Sequence, residues 1–123
     1  MVALILFLMI IIRNNRDLEQ YLEPIRKSGK SIGFVPTMGA LHAGHISLIN
    51  QSLKQSDFTI CSIFVNPTQF NDKSDLDRYP RMPEKDATML ELAGCHALFL
   101  PDVKEIYPEE DKRQFDFGQL DKV

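Results

Sequence analysis

His42 and His45, three residues apart in the stretch "TMGALHAGH", are the side chains whose types and spacing most directly point to chemistry. Residues i and i+3 on a first helical turn face the same way, so two imidazoles placed there can converge on one ligand. A helix start also offers free backbone N–H groups and the positive end of the macrodipole, a natural anion site. Gly39 lets backbone approach a ligand closely, and Gly44 removes a side chain from between the two rings. In nucleotidyl transfer, the α-phosphate gains charge on its equatorial oxygens as a nucleophile enters in line with departing pyrophosphate. Two imidazole donors fixed on one turn can meet that charge with little reorganisation. The competing reading has His42 capping the helix and His45 packed against a sheet, and the spacing alone leaves both open. Other phosphate motifs fail chemically. Gly39 and Gly44 have the gap of a P-loop, but His45 stands where lysine belongs and Ile46 where the magnesium-binding hydroxyl belongs. No G-x-G-x-x-G occurs.

A second cluster, "FVNPTQF", follows an apolar run ending at Val65 and places Asn66 and Gln69 just beyond a strand. In open α/β sheets ligands bind at the carboxyl edge of the strands, the same edge that carries the histidine turn after Val35. Uncharged amides flanked by Phe64 and Phe70 suit a small hydroxylated acid, with directional hydrogen bonds inside an apolar pocket. The alternative is an asparagine-proline turn with Gln69 in solvent.

The elements that must position these residues alternate along the chain. Met9 to Ile12 reads as a buried first strand. "NNRDLEQYLEPIRKSG" reads as a helix capped by Asn14, with Leu18, Leu22 and Ile25 on one face, Gly29 as its stop and Pro24 expected to kink or divide it. "SIGFVP" reads as a short buried strand, and "HISLINQSLKQS" as a helix with Ile46, Ile49 and Leu53 inward. "FTICSIFV" is nearly all apolar, β-branched and aromatic, as a mid-sheet strand covered on both faces should be. After a polar stretch from Asn66 to Arg81, Pro83 opens a helix with Ala87, Leu90 and Ala93 on one face and Gly94 closing it; "HALFLP" is the next strand. This order predicts right-handed βαβ units: an α/β fold with a parallel sheet and helices on both faces. The tail from Asp102 is charged and weakly periodic, and is expected to end with neither strand nor capped helix.

The totals narrow the function classes. With 123 residues, 44% of them hydrophobic and 25% charged, the chain suits one globular domain. A net charge of -3 supplies no broad basic field for nucleic acid, so small molecules are the expected partners. Cys61 and Cys95 lie in or beside apolar runs, which predicts buried free thiols and a reducing, cytoplasmic setting, and no zinc-ligand spacing links them to the histidines. The apolar run Val2 to Ile12 is shorter than the roughly 20 residues that span a bilayer, so no membrane partner is expected. Residues 1–8 read as an N-terminal extension, with Met9 as an alternative start.

"GFVPTMGALHAGHISLI", "FVNPTQF", "DLDRYPR" and "LFLPDVKEIYP", in this order, resemble the pantothenate synthetase (pantoate-beta-alanine ligase) family from about Met9 onward. The resemblance implies a Rossmann-like sheet of the H-x-G-H nucleotidylyltransferase type in a homodimeric, cytoplasmic ligase that uses ATP and Mg2+ on the way to coenzyme A. It implies that pantoate is activated as pantoyl adenylate with release of pyrophosphate, and that the amine of beta-alanine then displaces AMP. Carried over, Met38, Gly39, Ala40, Leu41, His42, Ala43, Gly44 and His45 would line the ATP site, with His42 and His45 on the phosphates and His45 as proton donor. Gln69 would hold pantoate beside the incoming beta-alanine, with Asn66 in support. Asp75 falls where the family has an acidic pair, but Ser74 replaces the expected glutamate, so no metal ligand is assigned. The stretch Arg78 to Arg81 reads as a structural loop whose charges brace the site. The family's later half, with its catalytic lysine and lid domain, has no counterpart here. Residues 9–123 therefore read as the N-terminal part of the ATP- and pantoate-binding domain, expected to be nearly inactive alone. Two alternatives stay open: another H-x-G-H nucleotidylyltransferase, and a non-catalytic half-domain that binds nucleotide.

Overall fold

The run Phe58–Ile63 forms the middle of the sheet, as its continuous apolar character requires, and everything else is arranged around it. A computed structural model of the chain describes residues 8–108. Four strands, β1 (Ile10–Ile12), β2 (Ile32–Thr37), β3 (Phe58–Ile63) and β4 (Ala97–Phe99), pair in the order β1-β4-β3-β2, all parallel. Helices α1 (Asn15–Lys27), α2 (Ala43–Gln55) and α4 (Pro83–Ala93) connect them. The crossover after β3 also contains a 3-10 turn (Pro67–Gln69) and a short helix α3 (Lys73–Arg78), and α5 (Val103–Ile106) follows β4.

Side chains alternate between the two faces, as the period of a strand dictates. Ile60, Ala97 and Phe99 join Ile12 on one face, where Leu18, Tyr21 and Leu22 of α1 pack against them. Cys61, Ile63 and Leu98 point to the other face, beneath Ile49 of α2 and Leu90 of α4, with Ile46, Leu53 and Ala87 around them. Full burial of side chains such as Ile49, Leu90 and Leu98 contributes about 1.5–3 kcal/mol each. Helices thus cover both faces, as the alternation predicts. Both cysteines are buried free thiols. Burial raises the pKa of each, that of Cys61 to about 12, so both stay protonated.

Several expectations need correction. Among the described residues β1 and β2 are edges rather than buried strands: Ile10 and Ile11 are 48% and 47% exposed, and Phe34 is 57% exposed. Pro36 carried the signal for β2, since a proline cannot donate to a second ladder. Helix α1 runs unbroken through Pro24. The proline sits on the exposed face near the C-terminus, where a single lost bond to the carbonyl of Gln20 leaves that oxygen to water. Within the polar stretch after Asn66, Asp72 caps α3 by accepting from the Ser74 N–H. The tail begins with a short capped helix, where Asp102 accepts from the Glu105 N–H, and the end of the tail, to which the expectation applied, lies outside the described residues. Residues 1–7, most of the expected extension, and residues 109–123 lie outside the described residues.

Candidate active site

β2 ends at Thr37, and the turn that follows is held by side chains rather than by a backbone ladder. The Thr37 hydroxyl donates to the Ser62 carbonyl (2.9 Å) and accepts from the Gly39 N–H (3.1 Å). Asp86, on α4 and only 1% exposed, accepts the Ala40 N–H at Oδ2 (2.9 Å) and the Leu41 N–H at Oδ1 (2.8 Å). Both Gly39 (φ +86°) and Ala40 (φ +52°) are left-handed. A Cβ on Gly39 would lie 3.0 Å from Ile63 Cγ2 and 3.2 Å from Asp86 Oδ2, so glycine is required there for conformation and for space.

The turn delivers the chain into α2 with His42 as its N-cap. His42 Nδ1 accepts the Gly44 N–H (3.0 Å), and His45 Nδ1 accepts the His42 N–H (3.1 Å). The pair forms a reciprocal capping arrangement, with imidazoles in the places that serine and glutamate usually fill. A ring nitrogen that accepts a hydrogen bond carries no proton, so the proton of each neutral ring sits on Nε2. The rings lie 4.1 Å apart between centroids, tilted by 46°. Burial, and then His42, hold the His45 pKa below the ordinary histidine value against an opposing pull from Asp86. At neutral pH His45 is therefore an uncharged imidazole with Nε2–H as its free donor. The capping and ligand readings are compatible, because the cap uses Nδ1 and leaves Nε2.

One sequence expectation fails at this point. The N–H groups of Gly39, Ala40, Leu41, His42 and Gly44 all have side-chain acceptors, and that of His45 bonds the His42 carbonyl. The turn is not a cradle of free backbone donors. An anion here meets imidazole N–H groups and the helix dipole instead.

His45 lines a cavity of about 490 Å³ at the carboxyl edge of the sheet, with Met38, Gly39, Asn66 and Gln69 on its walls, joined by Phe64 and Tyr79. The second cluster meets His45 here, whereas His42 is exposed and does not line this cavity. Asn66 serves mainly as a brace: its Oδ1 caps the 3-10 turn by accepting from the Thr68 N–H (3.0 Å) and hydroxyl (2.8 Å), and it also accepts from the Tyr107 hydroxyl (3.1 Å). The turn it caps carries Gln69 to the cavity. Leu41 does not face the cavity; its side chain belongs to the core. A neighbouring cavity of about 290 Å³, lined by Ile63, Met82, Leu100 and Val103, shares the Met38–Gly39 wall and Phe64.

A family model described as Pantoate-beta-alanine ligase matches residues 10–122. The chain belongs to the pantoate-beta-alanine ligase family. Pantothenate synthetase from Porphyromonas gingivalis is 55% identical over 107 residues, covering 87% of this chain and 38% of that protein. The Bacteroides fragilis protein of the same name is 50% identical over 113 residues, covering 92% of this chain and 40% of its own. A crystal structure of pantoate-beta-alanine ligase from Francisella tularensis, complexed with beta-gamma ATP and beta-alanine, superposes with a TM-score of 0.79 at 45% identity, over 83% of this chain and 39% of that one. The chain thus spans about two fifths of the length of these ligases. Among the H-x-G-H alternatives, the family match selects the ligase.

Within this ligase family frame, the remaining expected residues can be located. Ala43 is exposed at the first position of α2. Arg81 donates to the carbonyls of Leu76 (3.0 Å) and Tyr79 (2.9 Å), holding the end of α3, whose last residue is Arg78. Mg2+ prefers oxygen ligands in near-octahedral array. Among the described residues no three His, Cys, Asp or Glu converge to hold a metal, and Asp75 is exposed on α3 outside the cavity lining. The described residues do not fit a protein-held Mg2+. No described helix is long and apolar enough to cross a membrane. Asp86 and Tyr107 were missed by sequence reasoning.

Proposed function

We propose that this chain forms the histidine-bearing part of an ATP-dependent ligase that joins pantoate to beta-alanine through pantoyl adenylate. The observation that carries the reading is the pair of Nδ1 hydrogen bonds, which leaves Nε2–H as the free donor on both rings, with His45 on the wall of a cavity that also holds Gln69. A pantoate carboxylate oxygen forms a bond to the α-phosphorus of ATP, and the bond to the bridging oxygen breaks, with pyrophosphate leaving with the electron pair. The Nε2–H groups of His42 and His45 donate to the phosphate oxygens as their charge grows, and His45 is the proton donor. Gln69 orients pantoate, with the apolar walls from Met38 and Phe64 against its methyl groups. The beta-alanine amine then attacks the acyl carbon, AMP departs, and the amine sheds its proton. Mg2+ enters, in this reading, with the nucleotide phosphates. The reading includes a cytoplasmic homodimer; the two buried free thiols suit a reducing compartment.

The test has two parts. Calorimetry on the chain measures ATP binding, and absence of binding would remove the preformed nucleotide site. With the chain extended by the portion of a relative that it does not span, pantoate-dependent exchange of pyrophosphate into ATP is expected. His45→Ala should lower that exchange by about 10²–10³-fold, the usual effect of losing one preorganised donor. Exchange retained in the variant removes the role assigned to His45.

A further inference from the structure

The Asp86 carboxylate is one of few polar side chains buried in this fold, and its partners are unusual. Both oxygens are used on consecutive backbone N–H groups of the histidine turn, Ala40 at 2.9 Å and Leu41 at 2.8 Å. The ion pairs among the described residues are Arg26–Glu19 and Lys27–Glu23, both exposed, so Asp86 is balanced by N–H dipoles and not by a cation. A buried carboxylate is costly unless its lone pairs are satisfied, and a leucine at this place on α4 would pack without that penalty. The aspartate stabilises one backbone shape. It holds Ala40 in the left-handed region, a conformation that a residue with a Cβ avoids without external support. Two residues later the chain must present His42 as N-cap, and the His42 N–H must meet His45 Nδ1.

We infer that Asp86 is a positioning residue for the nucleotide site: by clamping the N–H groups of Ala40 and Leu41 across 45 residues of sequence, it sets the turn that locks His42 and His45 with Nε2–H outward. This inference rests on the proposed nucleotide role of the two rings, but it makes a claim about their geometry that stands without ATP. Asp86 touches no reacting atom. It acts through the turn, and Thr37 does the same for Gly39 from the other side.

Asp86→Asn keeps shape and one acceptor but sets an NH2 group against a backbone N–H. Ring 15N spectra of the chain report the result directly, since a locked tautomer shows widely separated Nδ1 and Nε2 shifts. In folded Asp86→Asn, the separation should shrink at His42 and His45. At His96, whose Nδ1 accepts from the Thr59 N–H (3.0 Å) in a different part of the sheet, it should not change. ATP affinity should fall about tenfold, the equivalent of one charge-assisted hydrogen bond. A folded variant with both rings still locked overturns the inference. If the variant does not fold, amide exchange in the parent chain decides. Ala40 and Leu41 amides exchanging much more slowly than that of Ala43, whose N–H has no intrahelical acceptor, support the clamp, and equal rates overturn it. Should the parent bind no ATP while the rings respond to Asp86→Asn, the clamp stands and the nucleotide reading falls.

Discussion

Gly44→Ala should separate stability from ligand binding. Gly44 is the second residue of α2, a place where alanine would be the better helix former by about 0.5–1 kcal/mol. A Cβ there would lie 2.8 Å from Cε1 and 3.1 Å from Nδ1 of His42, closer than atoms tolerate. The obstacle is a ring on two rotatable bonds, so the ring swings away instead of the backbone straining. That movement breaks the Gly44 N–H to His42 Nδ1 bond, a cap worth about 1 kcal/mol. Gain and loss nearly cancel, and urea unfolding followed by circular dichroism should find the variant within about 1 kcal/mol of the parent. The consequence for ligand is larger. With His42 displaced, its ring leaves its place beside His45, 4.1 Å away between centroids, and a hydrogen bond to charged phosphate is worth about 1.5–3 kcal/mol. Calorimetric ATP affinity should therefore drop between roughly tenfold and a hundredfold. Parent-like affinity in Gly44→Ala, with the ring signals of His42 displaced, would refute the claim that the first ring meets the phosphates.

Two further predictions follow from the same turn. Gly39→Ala should destabilise by about 2–4 kcal/mol, combining the left-handed penalty with the 3.0 Å approach to Ile63, whereas Ala40→Gly should be neutral or mildly stabilising; equal urea midpoints for the two variants would contradict this. The lowered pKa of His45, caused first by burial, and that of His96, also from burial, mean that the unfolded chain binds protons more readily than the folded one below pH 6.5. Their contribution is present above that pH and is lost as pH falls through the depressed folded values, so Tm should decline on acidification, with a shallower slope in His45→Ala.

What the sequence revealed and what it concealed differ for physical reasons. β3 and α4 were legible because their signals are local: an unbroken β-branched run in one case, a proline start and a glycine stop in the other. The buried readings of β1 and β2 failed because an apolar run reports that some face is covered, not how many neighbours a strand has. Only Pro36 distinguished an edge, through the donor it lacks. At the site, the H-x-G-H spacing and the FVNPTQF turn were visible, and their meeting at one sheet edge followed from parallel topology. Asp86 was invisible because its partners are backbone groups 45 and 46 residues away, and a backbone N–H leaves no trace in residue identity.

The same fact explains why the P-loop comparison fails by more than a missing lysine. Both designs put a glycine turn between a parallel strand and a helix start. In a P-loop the turn's N–H groups face the ligand and a permanent cation reaches over it, which favours the phosphate already in the ground state. Here the N–H groups of Gly39, Ala40 and Leu41 face inward to Thr37 and Asp86, and the donors offered are two neutral imidazoles. Neutral donors grip a ground-state phosphate less strongly than an ammonium does, but their hydrogen bonds strengthen as charge develops on the oxygens. Binding that grows toward the transition state raises turnover, where uniform binding does not. Under the proposed function, a turn that hides its own donors suits a site that would release pyrophosphate after one step and AMP after the next.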